Sequence, residues 1–238
     1  MNENIEKKKV LVTGGVRGIG YAIAKAFQNK GYIVYVTYKK DEESAQKIKK
    51  EGLIPLCADV ASEREMQGVF SAMGDIDILV NNAGVSLLKQ IQDTTMEEWE
   101  RLFAVNVGGV FLCSKLAVGY MLKKNSGLIV NIASVWGEVG ASCESVYASS
   151  KSAVIGFTKS LAKELGYSGI RVCSVSPGVI ATRMHEQYSK EDRELILEDI
   201  PLGREGTGED VAKAVSFLEE NDYVTGIDLP VNGGFSIV

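Results

Sequence analysis

The sequence contains few of the residues that most often bind zinc or serve as nucleophiles. Its 238 residues include one histidine, His185, and four cysteines, with no Cys-x-x-Cys pair. A zinc site or a Ser-His-Asp relay would lack its usual parts, so we expect neither a metal nor that relay. Each cysteine lies in or near an apolar run, where a free thiol is commonly buried. We therefore expect four buried free cysteines.

Basic residues do not outnumber acidic ones, since 26 Lys and Arg stand against 31 Asp and Glu and give a net charge of −5. A nucleic-acid surface needs a basic patch, so nucleic acid is not an expected partner. The N-terminus has no apolar signal core, and no uninterrupted apolar run approaches the roughly 18 residues of a membrane span. We expect a cytoplasmic protein without a membrane association.

Short β-branched runs alternate with longer helical patterns, which is typical of a parallel sheet built from βαβ units. The predicted strands are Val10–Thr13, Ile33–Thr37, Ile54–Cys57, Ile78–Val80, Leu128–Ile132, Arg171–Val175 and Ile227–Pro230. The clearest predicted helices are Ile19–Asn29, Met96–Lys123 and Val146–Leu165. No repeat or linker marks a second domain. We expect residues 1–238 to form a single doubly wound Rossmann domain of the α/β class, with about seven parallel strands and helices on both faces.

A glycine-rich segment, Thr13–Gly20, directly follows the first strand and opens the first helix. Glycines there permit a tight turn and let the backbone approach a pyrophosphate at the helix N-terminus. Counted from Gly14, the spacing is Gly-x3-Gly-x-Gly rather than Gly-x-Gly-x2-Gly. The position at the first βα junction favours a dinucleotide-binding turn over an ordinary surface turn.

This turn resembles that of the short-chain dehydrogenase/reductase family, and the resemblance covers essentially the whole chain. The other matching motifs, in the family's order, are Asn81-Asn82-Ala83-Gly84, Asn106, Ser134, Tyr147-x3-Lys151 and Pro177-Gly178. The resemblance implies a Rossmann fold, a nicotinamide cofactor and the reduction of a ketone to an alcohol. It also implies a homotetramer, because the long predicted helices occupy the places where relatives form tetramers.

The end of the second strand bears on the choice between NAD and NADP. NAD-binding folds place an acidic residue there for the ribose hydroxyls, but this strand ends in Tyr38-Lys39-Lys40. Either lysine would attract the 2′-phosphate of NADP, and Arg17 in the glycine-rich turn is a second cation for it. The acidic residues that begin at Asp41 leave open that the lysines only start a solvated helix. We expect NADPH/NADP+ as the cofactor.

The family resemblance implies further cofactor contacts. Asp59 would bind the adenine amino group, Val60 would contact the ring face, and the segment from Pro177 to Thr182 would border the nicotinamide. The full set of expected cofactor-binding residues is Gly14, Gly15, Arg17, Gly18, Ile19, Gly20, Tyr38, Lys39, Lys40, Asp59, Val60, Asn82, Ala83, Gly84, Tyr147, Lys151, Pro177, Gly178, Val179, Ile180 and Thr182.

Tyr147 and Lys151 are four positions apart, so they share one face of a helix. A free tyrosine titrates near pH 10, and a nearby ammonium is expected to lower that pKa and improve proton transfer near neutral pH. Spacing alone is a weak signal, because such pairs are common on ordinary helices. The resemblance makes this pair part of a catalytic tetrad with Asn106 and Ser134.

In the role implied by the resemblance, Tyr147 protonates the carbonyl oxygen that Ser134 orients, and Lys151 also holds the nicotinamide ribose. Asn106 would position a water that links Lys151 to solvent. The alternative for Asn106 is a polar side chain that satisfies the backbone of a neighbouring helix.

The substrate is less clearly indicated. The chain most resembles bacterial 3-oxoacyl-[acyl-carrier-protein] reductases through Pro201-Leu202-Gly203-Arg204, Gly208–Ala212, Val224-Thr225-Gly226 and Asn232-Gly233-Gly234. Reductases that dock acyl carrier protein usually carry basic residues where this chain has the neutral Asn125 and Ser168, although Lys123 and Lys124 lie close by. Fewer cations should weaken the attraction to an acidic carrier.

The segment Trp136–Glu144 joins two catalytic residues, so it should line the substrate pocket. It resembles the corresponding segment of reductases that act on the 5-aminopentanone group carried by a lysine of elongation factor P in some Gram-positive bacteria. Glu144 would pair with the cationic amine of that substrate, or it would be a carboxylate favoured by the dipole at a helix start. Trp136 and Glu144 are the expected substrate contacts. A 3-oxoacyl thioester on acyl carrier protein is the expected substrate, and the 5-aminopentanone group on elongation factor P is the alternative.

A function of another class, a non-catalytic NADP-binding regulator, would need the glycine-rich turn but could dispense with the tetrad. The presence of all four tetrad residues favours an enzyme. The charged, amphipathic segment Arg183–Ile200 would either cover a pocket or form a plain surface helix.

Overall fold

The computed structural model describes residues 7–181, 195 and 197–237. Seven strands form one sheet in the order β3-β2-β1-β4-β5-β6-β7, and every neighbouring pair is parallel. The strands are β1 (Lys9–Val12), β2 (Ile33–Tyr38), β3 (Ile54–Cys57), β4 (Ile78–Asn81), β5 (Gly127–Ile132), β6 (Ile170–Pro177) and β7 (Asp228–Val231). The predicted α/β class and strands are confirmed, with strand ends displaced by at most two residues.

Helices cover both faces of this sheet, as predicted. They are α1 (Gly18–Asn29), α2 (Glu42–Lys50), α3 (Glu63–Met73), α4 (Met96–Phe103), α5 (Gly109–Lys124), α6 (Trp136–Val139), α7 (Ser145–Leu165) and α8 (Gly208–Glu220). Side chains alternate along β1, so Val10 and Val12 join the core beneath α1 and α8, whereas Leu11 joins the core beneath α3 and α5. The sheet is therefore buried on both sides.

The predicted helix Met96–Lys123 is divided by one π-helical turn. Residues Ala104–Gly108 form that turn, between the end of α4 and the start of α5. Turns of this kind are frequent at functional sites, because they change the direction of a side chain within a continuous helix. Asn106 lies in this turn with 1% of its surface exposed.

The continuous run Met96–Lys124 is long and apolar enough to cross a membrane by length and composition, with a mean hydropathy of 1.7 in an 18-residue window. In this fold Cys113 and Met121 of the run are fully buried and share one core cluster with Leu79 and Ile129 of the sheet. A core helix of a globular protein meets the same length and composition test, and 39% of the window is buried in this fold.

The prediction of four buried cysteines is wrong for two of them. Cys113 and Cys173 are buried, but Cys57 is exposed and Cys143 is partly exposed. Cys57 ends β3, the edge strand of the sheet, which has a neighbour on one side only. Cys143 lies in the connection before α7 with a left-handed φ of 60°. All four cysteines are free.

The strand order places the candidate site. Because β1 lies between β2 and β4, the connections that leave β1 and β4 diverge and open a crevice at the carboxyl edge of the sheet. The glycine-rich turn follows β1, Asn82 follows β4, and Ser134 lies two residues beyond β5. The predicted motifs therefore meet at one edge.

Candidate active site

The glycine-rich turn approaches its neighbours too closely for side chains at several positions. Gly14 has a φ of 63°, which favours glycine. A Cβ at Gly15 would lie 2.7 Å from Cγ1 of Val36, and a Cβ at Gly20 would lie 2.5 Å from Nδ2 of Asn82. A side chain at Gly15 or Gly20 would therefore displace Val36 or Asn82.

The first turn of α1 is suited to an anion. Arg17 stands at the N-cap position, and no side chain caps the helix there. The early N–H groups of a helix have no partner within it, and together with the helix dipole they favour a phosphate. The predicted residues Gly18, Ile19 and Gly20 form this first turn. The donor set therefore fits the pyrophosphate of a dinucleotide.

Three polar side chains hold the turn in place. The hydroxyl oxygen of Thr13 accepts hydrogen bonds from the backbone N–H groups of Asn82 and Ala83, each at 3.0 Å. The Asn82 amide in turn donates to the carbonyl oxygens of Thr13 (2.9 Å) and Gly14 (3.1 Å). The hydroxyl of Thr37 accepts from the Gly14 N–H at 3.2 Å. The amide nitrogen of Asn82 therefore holds the cofactor turn in place.

Thr13 and Thr37 were not among the predicted site residues. The signal that could have identified them is their position at the carboxyl edge of the sheet, because Thr13 directly follows β1 and Thr37 is the last residue but one of β2. Both hydroxyls are buried, and buried hydroxyls are almost always hydrogen-bonded.

Two of the three cations predicted to meet the 2′-phosphate are paired with carboxylates. Arg17 Nη1 lies 2.8 Å from Asp41 Oδ2, and the Arg17 side chain is 57% exposed. Lys39 forms an ion pair with Asp59, the residue predicted at the adenine. Lys40 is exposed. The structure thus brings these predicted residues together at the end of β2, with two of the cations in contact with acidic groups.

Two other predicted residues at this end of the site have other contacts. The hydroxyl of Tyr38 donates to Glu42 Oε2 at 2.7 Å. Val60 is buried, and a Cβ at Gly109 on α5 would lie 2.9 Å from Val60 Cγ2. Val60 therefore packs tightly against α5 beside the crevice.

The predicted catalytic residues meet where β5 ends and α7 begins. Ser134 follows β5, and Tyr147 and Lys151 lie on the first turns of α7. All three are buried, with 7%, 8% and 5% of their surfaces exposed. The hydroxyl of Ser134 adjoins that of Tyr147 and influences its pKa, and Lys151 Nζ lies 5.7 Å from the centre of the Tyr147 ring.

The expectation that Lys151 lowers the pKa of Tyr147 is not met in this structure. Burial raises that pKa to about 12, the hydrogen bond from Ser134 opposes the shift, and the Glu144 carboxylate adds to it. The Lys151 ammonium points elsewhere, since Nζ donates to the carbonyl oxygen of Ile132 at 2.8 Å. Burial also lowers the pKa of Lys151 to about 8. Tyr147 is therefore a firmly protonated phenol beside a lysine that gives up its proton more easily than usual.

Asn106 cross-links the loop after β4 to α7. Its amide nitrogen donates to Val85 O at 2.9 Å and to Ser150 Oγ at 3.0 Å, and its Oδ1 accepts from Val85 N at 2.9 Å. A Cβ at Gly84 would lie 3.3 Å from Asn106 Oδ1 and 3.6 Å from Lys151 Nζ. Gly84 therefore lies between Asn106 and Lys151, and the backbone that Asn106 satisfies belongs to a loop rather than a helix.

The segment predicted to line the substrate pocket does adjoin Tyr147. Trp136 packs in one apolar cluster with Tyr147 and Leu102, and its ring meets the ring of Phe235 edge-on at 5.2 Å. Glu144 stands at the N-cap position of α7 without a side-chain capping bond and is 4% exposed. Its charge acts on Tyr147, so it belongs to the electrostatics of the site.

The predicted nicotinamide border continues from β6. Gly178 packs against the chain beyond β7, since a Cβ there would lie 2.8 Å from Asn232 Cα. Pro177, Val179 and Ile180 are buried. Thr182 and residues 183–194 and 196 lie outside the described residues, so the possible cover over the pocket is not described.

Comparisons with known proteins identify the family of the chain. A family model described as enoyl-(acyl carrier protein) reductase matches residues 14–236. The chain is 42% identical to 3-oxoacyl-[acyl-carrier-protein] reductase FabG of Haemophilus influenzae, covering 97% of this chain and 98% of that protein. It is 40% identical to the Escherichia coli protein of the same name over 99% of this chain and 100% of that protein. The Staphylococcus aureus protein of that name is 39% identical, over 95% of this chain and 97% of that protein.

Proposed function

Because the chain belongs to the short-chain dehydrogenase/reductase family, whose members are oxidoreductases, we propose that it reduces a 3-oxoacyl thioester to the 3-hydroxyacyl thioester with NADPH. The observation that carries this proposal is the contact between the hydroxyls of Ser134 and Tyr147, with Lys151 one helical turn further along α7. Two neighbouring hydroxyls can both donate hydrogen bonds to the oxygen of one ketone. The relatives named for this reaction match nearly the whole chain.

Each residue of the tetrad has a defined task in this reaction. Ser134 donates a hydrogen bond to the ketone oxygen and polarises the carbonyl group. Tyr147 transfers its phenolic proton to that oxygen as negative charge develops there. A bound nicotinamide cofactor supplies the hydride that the carbonyl carbon receives. One hydride and one proton thus convert the ketone to an alcohol and leave Tyr147 as a phenolate.

Lys151 returns the proton to Tyr147. Burial lowers the pKa of Lys151 to about 8 and raises that of Tyr147 to about 12, so transfer from the ammonium to the phenolate is downhill. Lys151 is then neutral and must be reprotonated from solvent. We propose that a water beside Asn106 carries the proton from solvent to Lys151, because Asn106 lies on the other side of Gly84 from Lys151.

Several features support NADPH as the cofactor. The described end of β2 places Lys39 near the crevice, and Arg17 adjoins it in the glycine-rich turn. Both side chains are more than half exposed, so a phosphate can replace their carboxylate partners. A phosphate offers three strong acceptor oxygens and about two negative charges, compared with one charge for Asp41.

We propose that acyl carrier protein carries the acyl group. We expect this chain to bind that carrier more weakly than a reductase with a strongly basic docking surface would. Asn125 ends α5 and Ser168 lies in the turn before β6, and both are neutral. Nearby Lys124 is paired with Asp77 at 2.7 Å. We expect the Michaelis constant for a carrier-bound substrate to depend only slightly on salt.

We further propose a cytoplasmic homotetramer. Met96, Trp99, Phe111 and Leu122 are exposed apolar side chains on α4 and α5, between 39% and 68% exposed. These side chains are distributed along the two helices, and exposed apolar patches commonly form protein–protein contacts. The measurement is the molar mass in solution by light scattering.

Glu144 favours a second candidate substrate, the 5-aminopentanone group on elongation factor P. Its carboxylate is buried beside Tyr147 and raises the pKa of that tyrosine. A substrate ammonium near Glu144 would offset this charge, which would make Tyr147 a better proton donor. A neutral acyl thioester offers no such compensation.

One set of assays tests both candidates. Oxidation of NADPH is followed with acetoacetyl-carrier thioester, with modified elongation factor P and with a crotonyl thioester, whose double bond tests the enoyl reduction named by the family model. We expect the first substrate to be turned over and Tyr147→Phe to reduce that rate by about 10²–10⁴-fold. Turnover that survives Tyr147→Phe would exclude the proposed donor.

Glu144→Gln separates the two ketones. If elongation factor P is the substrate, this variant loses activity toward the amine-bearing ketone while its activity with acetoacetyl thioester is retained. Faster turnover of modified elongation factor P than of any acyl thioester would replace the first candidate by the second. Binding of NADPH without turnover of any of the three substrates would favour the non-catalytic regulator.

A further inference from the structure

Two carboxyl groups meet beside the substrate segment. Glu138 lies on α6, Asp228 lies on β7, and their side chains are in hydrogen-bond contact. The oxygens of Asp228 accept from the hydroxyls of Ser174 at 2.5 Å and Ser176 at 2.7 Å. Glu138 Oε2 is buried and has no hydrogen-bond partner within the described part of the chain. An ionised carboxylate with such an oxygen would be costly to bury.

A shared proton removes this cost. Two carboxyl groups can form a hydrogen bond only if one of them is protonated. Both oxygens of Asp228 already accept from serine hydroxyls, whereas Oε2 of Glu138 accepts from none. The proton therefore belongs on Glu138. Burial, followed by the hydrogen bond and the charge of Asp228, raises the pKa of Glu138 to about 7.

Within the part of the chain that the structure describes, the groups that act on Glu138 include no cation. These groups are Asp228 from β7, Ser176 from β6 and Ser236 from the chain after β7. Helix α7, which packs against α6, carries the titratable groups Tyr147 and Lys151, and the Lys151 ammonium donates to Ile132 instead. Above its pKa the pair is thus two carboxylates in contact, and they repel each other.

The pair lies on α6 and β7, so a movement of α6 would be transmitted to the active site. Its neighbour Gly137 fits directly onto α7, since a Cβ there would lie 2.8 Å from the carbonyl carbon of Lys151, and the hydroxyl of Ser152 donates to Gly137 O at 2.6 Å. On the other side of Glu138's turn, Trp136 contacts Phe235. The turn α6 is thus clamped between Lys151 and the segment after β7.

We propose that Glu138 and Asp228 are a positioning pair, a carboxyl–carboxylate latch that fastens the substrate segment on α6 to β7 when the latch holds its proton. The latch acts through Trp136 and Gly137, and neither carboxyl takes part in the chemistry. Its effect on kinetics rests on the proposed reductase function, but its effect on the environment of Trp136 does not.

The direction of the pH dependence follows from the proton. The ordinary glutamate pKa is 4.5, and in the folded chain it is about 7. Between these values the folded state holds more protons than the unfolded state, so the latch loses stability as pH rises from about 4.5 to about 7. Above that range the two carboxylates repel and the segment is released.

Tryptophan fluorescence tests the latch without catalysis. The chain has two tryptophans, Trp99 and Trp136, so Trp99→Phe leaves Trp136 as the only reporter. We expect its emission to change with a midpoint near pH 7 and the change to disappear when Glu138→Gln is added, because glutamine donates to Asp228 at every pH. His185→Asn and Lys151→Met, each in the same background, must leave the titration in place. An ordinary histidine titrates in this range, and burial lowers the pKa of Lys151, which adjoins Gly137, to about 8.

Kinetics give the second readout. With acetoacetyl thioester, the Michaelis constant of the unaltered enzyme should rise about 10-fold between about pH 6 and pH 8.5, because apparent affinity falls with the latched fraction. In Glu138→Gln and in Asp228→Asn the Michaelis constant should stay at its low, latched value at every pH. In Glu138→Ala it should stay at its high value at every pH. The pH dependence of kcat, which reports Tyr147 and Lys151, should be the same in the enzyme and in Glu138→Gln.

The outcomes separate the latch from the proposed function. A fluorescence titration that survives Glu138→Gln overturns the latch, as does a Michaelis constant with the same pH profile in both proteins. A fluorescence titration that Glu138→Gln abolishes, in a protein that reduces none of the ketones, supports the latch and rejects the reductase proposal.

Discussion

Nζ of Lys151 donates a 2.8 Å hydrogen bond to the carbonyl oxygen of Ile132, the last residue of β5. The next residue, Ala133, donates its N–H to Val175 O on β6 at 2.8 Å, and Ser134 follows. Helix α7 is thereby fastened to the strand end that carries the serine. This bond explains why Ser134 and Tyr147 meet, although 12 residues of chain lie between them.

Ser134→Ala should reduce kcat by about 10²-fold, because it removes a donor aimed at the ketone oxygen. It also removes the hydrogen bond that opposes the raised pKa of Tyr147. The Michaelis constant for NADPH should change little. Steady-state kinetics provide the measurement. Ser149→Ala is the control, because that hydroxyl donates only to Ser145 O on the exposed side of α7, and equal losses in both variants would contradict the assigned role.

The buried Lys151 should leave a signature in stability. Burial lowers its pKa from 10.5 to about 8, so above pH 8 the folded state has lost a proton that the unfolded state keeps. Stability contributed by this group therefore rises with pH between about 8 and about 10.5. Below that window the buried ammonium opposes folding.

Lys151→Met isolates the contribution of Lys151 to the free energy of unfolding, since it removes the titrating group and retains a long apolar side chain. Relative to this variant, the unaltered protein should gain about 2 kcal/mol of unfolding free energy between about pH 7 and about pH 9.5. Urea denaturation of both proteins at the two pH values measures the difference. A gap that does not change with pH would mean that Lys151 has an ordinary pKa.

The sheet and its helices were predictable because buried parallel strands are apolar without alternation and are separated by helical patterns. Ile54–Cys57 was predicted with its observed bounds. The π turn around Asn106 was not predictable, since a turn with one extra residue leaves no mark in hydrophobic spacing. The exposed Cys57 was missed because an edge strand is apolar in sequence like a central one.

The candidate site was predictable in its residues and less so in its electrostatics. Spacing placed Tyr147 and Lys151 on one helical face, but the pKa of Tyr147 depends on burial and on the direction of the Lys151 ammonium. Glu138 and Asp228 are 90 residues apart in the chain. Only the adjacency of α6 to the β7 edge brings them together, and no local pattern signals it.

Cofactor preference should respond to Arg17 and Asp41 in opposite directions. Arg17→Ala should raise the Michaelis constant for NADPH about 10-fold and leave that for NADH nearly unchanged, because the cation addresses the 2′-phosphate. Asp41→Asn removes the carboxylate that competes for Arg17 and keeps an N-cap for α2, so the constant for NADPH should fall or stay the same. Equal losses with both cofactors in Arg17→Ala would show a structural defect instead.

Two glycine substitutions should have opposite effects on stability. Gly20→Ala places a Cβ 2.5 Å from Asn82 Nδ2 and 2.7 Å from Gly14 O, which must displace the turn that Asn82 holds. We expect a loss of about 1–3 kcal/mol in unfolding free energy and weaker NADPH binding.

Gly68→Ala is the matched control on a helix far from the turn. Gly68 lies inside α3, is exposed, and a Cβ there would meet no atom within 4 Å. Alanine restricts the unfolded chain and favours the helix, so this variant should gain about 1 kcal/mol. Urea denaturation and fluorescence titration with NADPH measure both variants. If Gly20→Ala binds NADPH as tightly as Gly68→Ala does, the close approach of Gly20 to Asn82 does not shape the cofactor turn.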